Sequence, residues 1–148
     1  MQTVEIITSV GDGNPGCNDE IVLLFADRTT LAKRRWRGVA QDGREFGFDL
    51  DRPLSDGAVF HREGGKSYAI SQTPESVLEV ALGSDPSRAA VISWQIGNLH
   101  FPVEITDEVI RCADDPAIRQ LLSRQRVAWQ TMTAVFRPLI SLGHAHHH

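Results

Sequence analysis

The stretch Trp94-Gln-Ile-Gly-Asn-Leu-His-Phe-Pro-Val-Glu-Ile105 changes its period in the middle. Before Gly97-Asn98, Ala90, Val91 and Trp94 recur at helical spacing; after it, Phe101, Val103 and Ile105 alternate as in a strand. Gly-Asn is a helix stop, because both residues tolerate the left-handed backbone that ends many helices. The stretch therefore reads as a helix running into a strand. Working outward, Asp85-Pro86 gives that helix its start, with Asp as N-cap and Pro at the first helical position. Ser76–Leu82 is a strand before it, and Val109–Cys112 a strand after it. Asp115-Pro116 repeats the helix-start signature ahead of Ile118, Leu121 and Leu122, and Trp129–Phe136 reads as a last strand. The order β-α-β-β-α-β is that of a ferredoxin-like domain.

The first half has a different texture. Val4–Val10 and Ile21–Phe25 are β-branched and aliphatic runs separated by the turn-rich segment 11–19. Arg35–Ala40 leads into Gln41-Asp-Gly43, after which Phe46, Phe48 and Leu50 alternate. Asp-Gly between alternating runs predicts a hairpin, since glycine accepts the positive φ of the turn. Ala58–Phe60 turns through Arg62-Glu-Gly-Gly65 into Tyr68–Ile70, and no long helix is expected before residue 73. Gln72–Glu75 reads as a linker. The expected class is α+β, with an N-terminal β-rich domain over 1–73 and a second domain over 74–138.

Composition narrows the functional classes. At 41% hydrophobic and 23% charged residues the chain has an ordinary globular balance, which excludes wholesale disorder. A net charge of −4 weighs against general nucleic-acid binding. Cys17 and Cys112 are too few for a disulfide framework, and no C-x-x-C pair occurs. No apolar run reaches the ~18 residues that span a bilayer, and the N-terminus lacks a basic start followed by an apolar core. The expected compartment is the cytoplasm, without membrane contact. Neither a G-x-S-x-G, a P-loop nor an H-E-x-x-H motif is present, so no enzyme is expected.

The histidines are unevenly placed. Four of the 6 form a tail, His144, His146, His147 and His148, and His100 stands alone at the helix–strand junction. On a strand running from Leu99, His100, Pro102 and Glu104 share the face opposite Phe101, Val103 and Ile105, which directs His100 outward. A helix C-terminus also favours a cation beside it. The residues suit two readings of His100, a metal ligand or an imidazole capping the helix carbonyls. The tail, over 139–148, suits a borderline divalent metal, and the Ala145 interruption favours a native segment over a purification tag. Elsewhere, Lys33-Arg-Arg-Trp-Arg37 reads as a solvated face or a docking surface for an acidic partner. Cys112 reads as an inert core thiol, Asp115 as an N-cap and His61 as a surface residue.

Gly97-Asn-Leu-His100 followed by Phe101–Ile105 resembles the GN-x-H signature of the urease accessory nickel chaperones. The likeness continues through Arg35-Trp-Arg37, Asp42-Gly-Arg-Glu45, Leu54-Ser-Asp-Gly57, Pro74–Val80 and Phe136-Arg-Pro138, in order, over roughly residues 22–138. It departs at Leu99, where the family usually has arginine, at Ala58, where an acidic residue is common, and at Cys112–Ala117, which lacks the histidines many members carry there. The resemblance implies a peptide-binding N-terminal domain and a ferredoxin-like metal-binding domain through which two chains dimerise. It implies Ni²⁺ as cargo, with Zn²⁺ or Cu²⁺ as competitors for the same site. His100 from each subunit would be the ligand, aided by the tail histidines and with Glu104 in support. A urease accessory GTPase and the urease apoprotein complex are the implied partners. With the resemblance, the ligand reading of His100 prevails. The alternatives are a nickel or zinc storage protein and a ferredoxin-like RNA-binding module.

Overall fold

The computed structural model describes residues 3–11 and 13–139, and the chain divides into two compact units, 1–73 and 74–148. The division falls between strands that are separated by only Thr73 and Pro74, where a longer linker was expected.

The first unit is built from β1 (Glu5–Ile7), β2 (Glu20–Ala26), a single helical turn α1 (Arg28–Leu31), β3 (Arg35–Val39), β4 (Glu45–Asp49), β5 (Val59–Glu63) and β6 (Lys66–Gln72). They make two three-stranded sheets, ordered β1-β4-β3 and β2-β6-β5. Period two decides what is buried: Val22, Leu24 and Ala26 of β2 are inside, while Ile21 and Phe25 are outside. Phe46, Phe48, Phe60 and Ile70 join them in one core, with Trp36 stacked on Phe48 at 4.2 Å. The Asp42-Gly43 hairpin forms as expected, with Gly43 at φ 90°. The β5–β6 turn is tighter than the sequence suggested. Gly64 and Gly65 both have positive φ, 58° and 78°, so two residues close it and the strands run to Glu63 and from Lys66.

The second unit runs β7 (Glu75–Ala81), α2 (Pro86–Asn98), β8 (Val103–Ile105), β9 (Val109–Ala113), α3 (Pro116–Arg124) and β10 (Trp129–Ala134). Its sheet is antiparallel throughout, with strand order β10-β7-β9-β8. Both helices start where Asp-Pro predicts. The Asp85 carboxylate accepts the Arg88 N–H at 3.1 Å, and that of Asp115 accepts the Ala117 N–H at 2.8 Å. Ile92 and Ile96 of α2 and Ile118 and Leu122 of α3 share a core with Leu78, Val80, Ile110 and Cys112, so both helices cover one face of the sheet. The opposite face carries charge: Arg111 meets Glu79 at 2.9 Å and Glu104 at 3.6 Å.

The stripe that identified α2 proves to be its outer one. Ala90, Val91 and Trp94 face solvent, Trp94 at 68% exposure, while Ala89, Ile92 and Ile96 face the sheet. No helix among the described residues is long and apolar enough to cross a membrane.

Candidate metal site

The site begins with how α2 stops. Leu99 caps the helix, the His100 N–H donates to Gly97 O at 2.9 Å, and the Phe101 N–H reaches back to Ile96 O at 3.4 Å. These two bonds define a Schellman turn, in which the residue after the cap must adopt a left-handed backbone. That residue is His100, at φ 65°. The turn is held because Phe101 packs on the core that contains Ile96, the apolar contact which usually accompanies the motif. A non-glycine residue in this conformation costs about 1–2 kcal/mol, though histidine tolerates it better than most.

This corrects the expected geometry. His100 is not on a strand; β8 starts three residues later, at Val103. The helix signal at Gly97-Asn98 lies close to the end, but Gly97 stays helical and the left-handed position falls on the imidazole. Phe101 and Val103 do face the helices, whereas Ile105 is 45% exposed. His100 is exposed, as the ligand reading requires, but because it sits on a helix cap.

Two features of the surroundings bear on a cation. The last turn of α2 contains no basic residue, so no side chain of that turn meets the partial negative charge of its free carbonyls with a permanent cation. Val91 and Trp94 lie on the outer face of the helix and Leu99 is its cap; they are 51%, 68% and 45% exposed. Val91 and Trp94 on the outer face, with Leu99 at the cap, are exposed apolar residues suited to burial against another protein.

The remaining candidates are placed less favourably for ligation. Glu104 is buried, accepting the Arg137 N–H at 3.0 Å on one oxygen and facing Arg111 at 3.6 Å on the other. Among the described residues, no group of three or more His, Cys, Asp or Glu side chains comes together to hold a metal. His144, His146, His147 and His148 lie outside the described residues. Cys112 is fully buried, and burial, with Asp114 nearby, pushes its thiol up to about 11, so it stays protonated and bound into the core. His61 is not the surface residue expected. Its ring packs against Phe46 and Tyr68, because strand register places it opposite Tyr68, a relation between positions far apart in sequence.

Among the described residues, a single chain therefore offers one exposed imidazole, set on a helix cap whose last turn has no basic residue, with exposed apolar side chains on the same helix. One nitrogen does not hold a transition metal, but a two-fold pairing of this surface would present two.

Comparison with known proteins agrees with the sequence likeness. The profile described as UreE urease accessory protein, C-terminal domain, matches residues 75–148. Urease accessory protein UreE of Chelativorans sp. is 33% identical over 124 residues, covering 82% of this chain and 78% of the relative. That of Pseudomonas fluorescens is 30% identical over 135 residues, covering 87% and 78%. That of Azorhizobium caulinodans is 32% identical over 114 residues, and the chain spans only 54% of its length. The chain belongs to the UreE urease accessory protein family.

Proposed function

We propose that this protein is a homodimeric, cytoplasmic metal carrier that binds Ni²⁺ and delivers it during assembly of the urease active site. The observation that carries the reading is the place of His100: a helix cap, a last turn with no basic residue, and the exposed apolar side chains of Val91, Trp94 and Leu99 on the same helix. In this reading the 74–138 domain is ferredoxin-like, supported by its element order and by the sheet order β10-β7-β9-β8. Two copies meet through the outer face of α2, which brings their His100 residues to one symmetry axis. Leu99 extends the apolar contact where the family usually carries a charge.

Two imidazoles leave nickel short of donors. Water and the tail histidines, His144, His146, His147 and His148, complete its shell, and Glu104 joins only by giving up its contacts with Arg111 and the Arg137 N–H. An incomplete site suits a carrier. Closed structural zinc sites bind by ~10–16 kcal/mol, whereas a micromolar site corresponds to about 8 kcal/mol and releases its metal readily. Zn²⁺ and Cu²⁺ compete for the same nitrogens. The protein catalyses no reaction of its own; it hands nickel to the urease accessory GTPase and the urease apoprotein complex.

The test is to titrate the full chain and a chain lacking residues 144–148 with Ni²⁺ while following mass by light scattering. The expected result is a dimer in both cases, with fewer ions bound by the shortened chain and one site per dimer retained. Loss of all nickel binding on removing the tail would sink the assignment of His100.

A further inference from the structure

We propose that the open edge of β3 receives an extended acidic segment of a partner protein, which joins the β1-β4-β3 sheet as its next strand. The proposal adds a docking role for the N-terminal unit to the carrier reading above and rests on its own observations.

Strand β3 lies at the end of its sheet, with β4 on one side only. The pairing register fixes which backbone groups point away. Leu50 N–H donates to Arg34 O at 2.9 Å and Ala40 N–H to Arg44 O at 2.9 Å, so the even-numbered residues of β3 bond to β4. In an antiparallel pair the alternate residues turn their N–H and C=O groups outward. These are Arg35, Arg37 and Val39, and among the described residues no hydrogen bond engages those backbone groups. Strand β2 lies near the Val39 end of β3: Gln41 N–H donates to Leu23 O at 2.9 Å just past the strand, and the Leu24 side chain packs close to Gly38.

The side chains of the same three residues face solvent. Arg35 is 83% exposed and reaches Asp49 at 3.0 Å, Arg37 stands opposite Gly47, and Val39 is 57% exposed. Arg34 and Arg37 make no ion pair among the described residues, and Lys33 extends the positive run. A depression of about 520 Å³ is lined by Ile6, Arg35, Arg37 and Gly47, and the Ile6 side chain lies over Gly47.

An added strand places its side chains about 5 Å from those of β3, directly opposite. An antiparallel visitor would then meet Val39 first and Arg37 and Arg35 at its next two alternate positions, which selects the pattern apolar-x-acidic-x-acidic. The same charges exclude a second copy of this edge, which would set arginine against arginine. Main-chain bonds supply the affinity and the alternate side chains the choice of partner.

The probe is a fluorescein-labelled heptapeptide, Thr-Val-Thr-Glu-Thr-Glu-Thr, titrated with the full chain and read by anisotropy and by amide hydrogen exchange. Two N-methylated versions, each blocking one alternate set of amides, separate strand addition from plain charge attraction. One version should bind at least tenfold more weakly and the other as well as the parent. Exchange should slow at Arg35, Arg37 and Val39 and stay unchanged at Trp36 and Gly38. Arg37→Glu should weaken binding at least tenfold, and a peptide with lysine in place of glutamate should recover it. Val39→Pro removes an outward N–H along with the valine side chain and should also weaken binding tenfold without changing charge. Nickel titration of these variants should match the parent, which keeps this result independent of the carrier reading. Equal binding of both N-methylated peptides, no protection at the odd-numbered residues, or no measurable binding would overturn the proposal.

Discussion

Helices α2 and α3 both finish with a left-handed residue that is not glycine, His100 at φ 65° and Arg126 at φ 55°. The turns are the same. Arg126 N–H donates to Ser123 O at 3.1 Å and Val127 N–H to Leu122 O at 3.1 Å, and Val127 packs on the core as Phe101 does. The chemistry around them differs. At the end of α3, Arg124 occupies the last turn, Arg126 follows the cap, and the Arg88 guanidinium donates to Gln125 O. The last turn of α2 contains no basic residue, and an imidazole follows its cap. The outer face of α3 is polar, with Gln120, Ser123 and Arg124 exposed, whereas that of α2 is apolar. Backbone strain by itself therefore marks nothing: both ends carry it, held by the apolar residue that follows. What singles out α2 is strain combined with a last turn that has no basic residue and a surface fit for burial.

The comparison can be pressed hardest at the residues that hold the turns. Ile96 and Leu122 are both fully buried and occupy the same position in the two motifs. Ile96→Ala and Leu122→Ala should each destabilise the fold by about 3 kcal/mol, read by denaturant unfolding. A much smaller loss at one site would mean that the two turns are not held alike.

The next contrast lies on the outer faces. Trp94→Glu should weaken self-association at least tenfold in sedimentation equilibrium, because it puts a charge onto the apolar outer face. Gln120→Glu, on the polar face of α3, should leave it unchanged. Equal responses would remove the reason for placing the dimer contact on α2.

Solution conditions should separate the two ends as well. Nickel binding should weaken as the pH falls from about 7 to about 5, because protons compete for imidazole nitrogen. The guanidinium groups at α3 keep their charge throughout, so acid leaves that end alone and salt acts on it instead. Arg124→Ala should lower stability by about 0.5 kcal/mol at low ionic strength, an effect lost on adding salt.

These contrasts also explain what was legible in the sequence. The starts of both helices could be read because an Asp-Pro cap is chemistry between near neighbours, and the Asp42-Gly43 hairpin for the same reason. The backbone of His100 could not be read. Its conformation is set by Phe101 reaching the core at Ile96, a packing event that no local rule locates, and Gly97-Asn98 offered a more familiar place to stop. Nor could periodicity say which side of α2 faces inward, since Ala90, Val91 and Trp94 are as apolar as Ala89, Ile92 and Ile96. The sheet decides between them. His61 was misplaced for a related reason: its neighbours Phe46 and Tyr68 arrive through strand pairing. The charge of Lys33–Arg37 was plain from the start, but that β3 lies at a sheet edge required the strand order.

The central claim is that His100 is kept in a strained cap for its nitrogen and not for its backbone. Glycine is the residue the left-handed position prefers, so His100→Gly and Arg126→Gly should each raise unfolding stability by roughly 1 kcal/mol, less the extra entropy that glycine gives the unfolded chain. Isothermal titration with Ni²⁺ on the same two variants is the direct measurement. The account predicts that Arg126→Gly binds its first nickel as the parent does, while His100→Gly, stably folded, binds it at least 100-fold more weakly, a loss of about 2.7 kcal/mol. A His100→Gly protein that keeps the parent's tightest nickel site would contradict it.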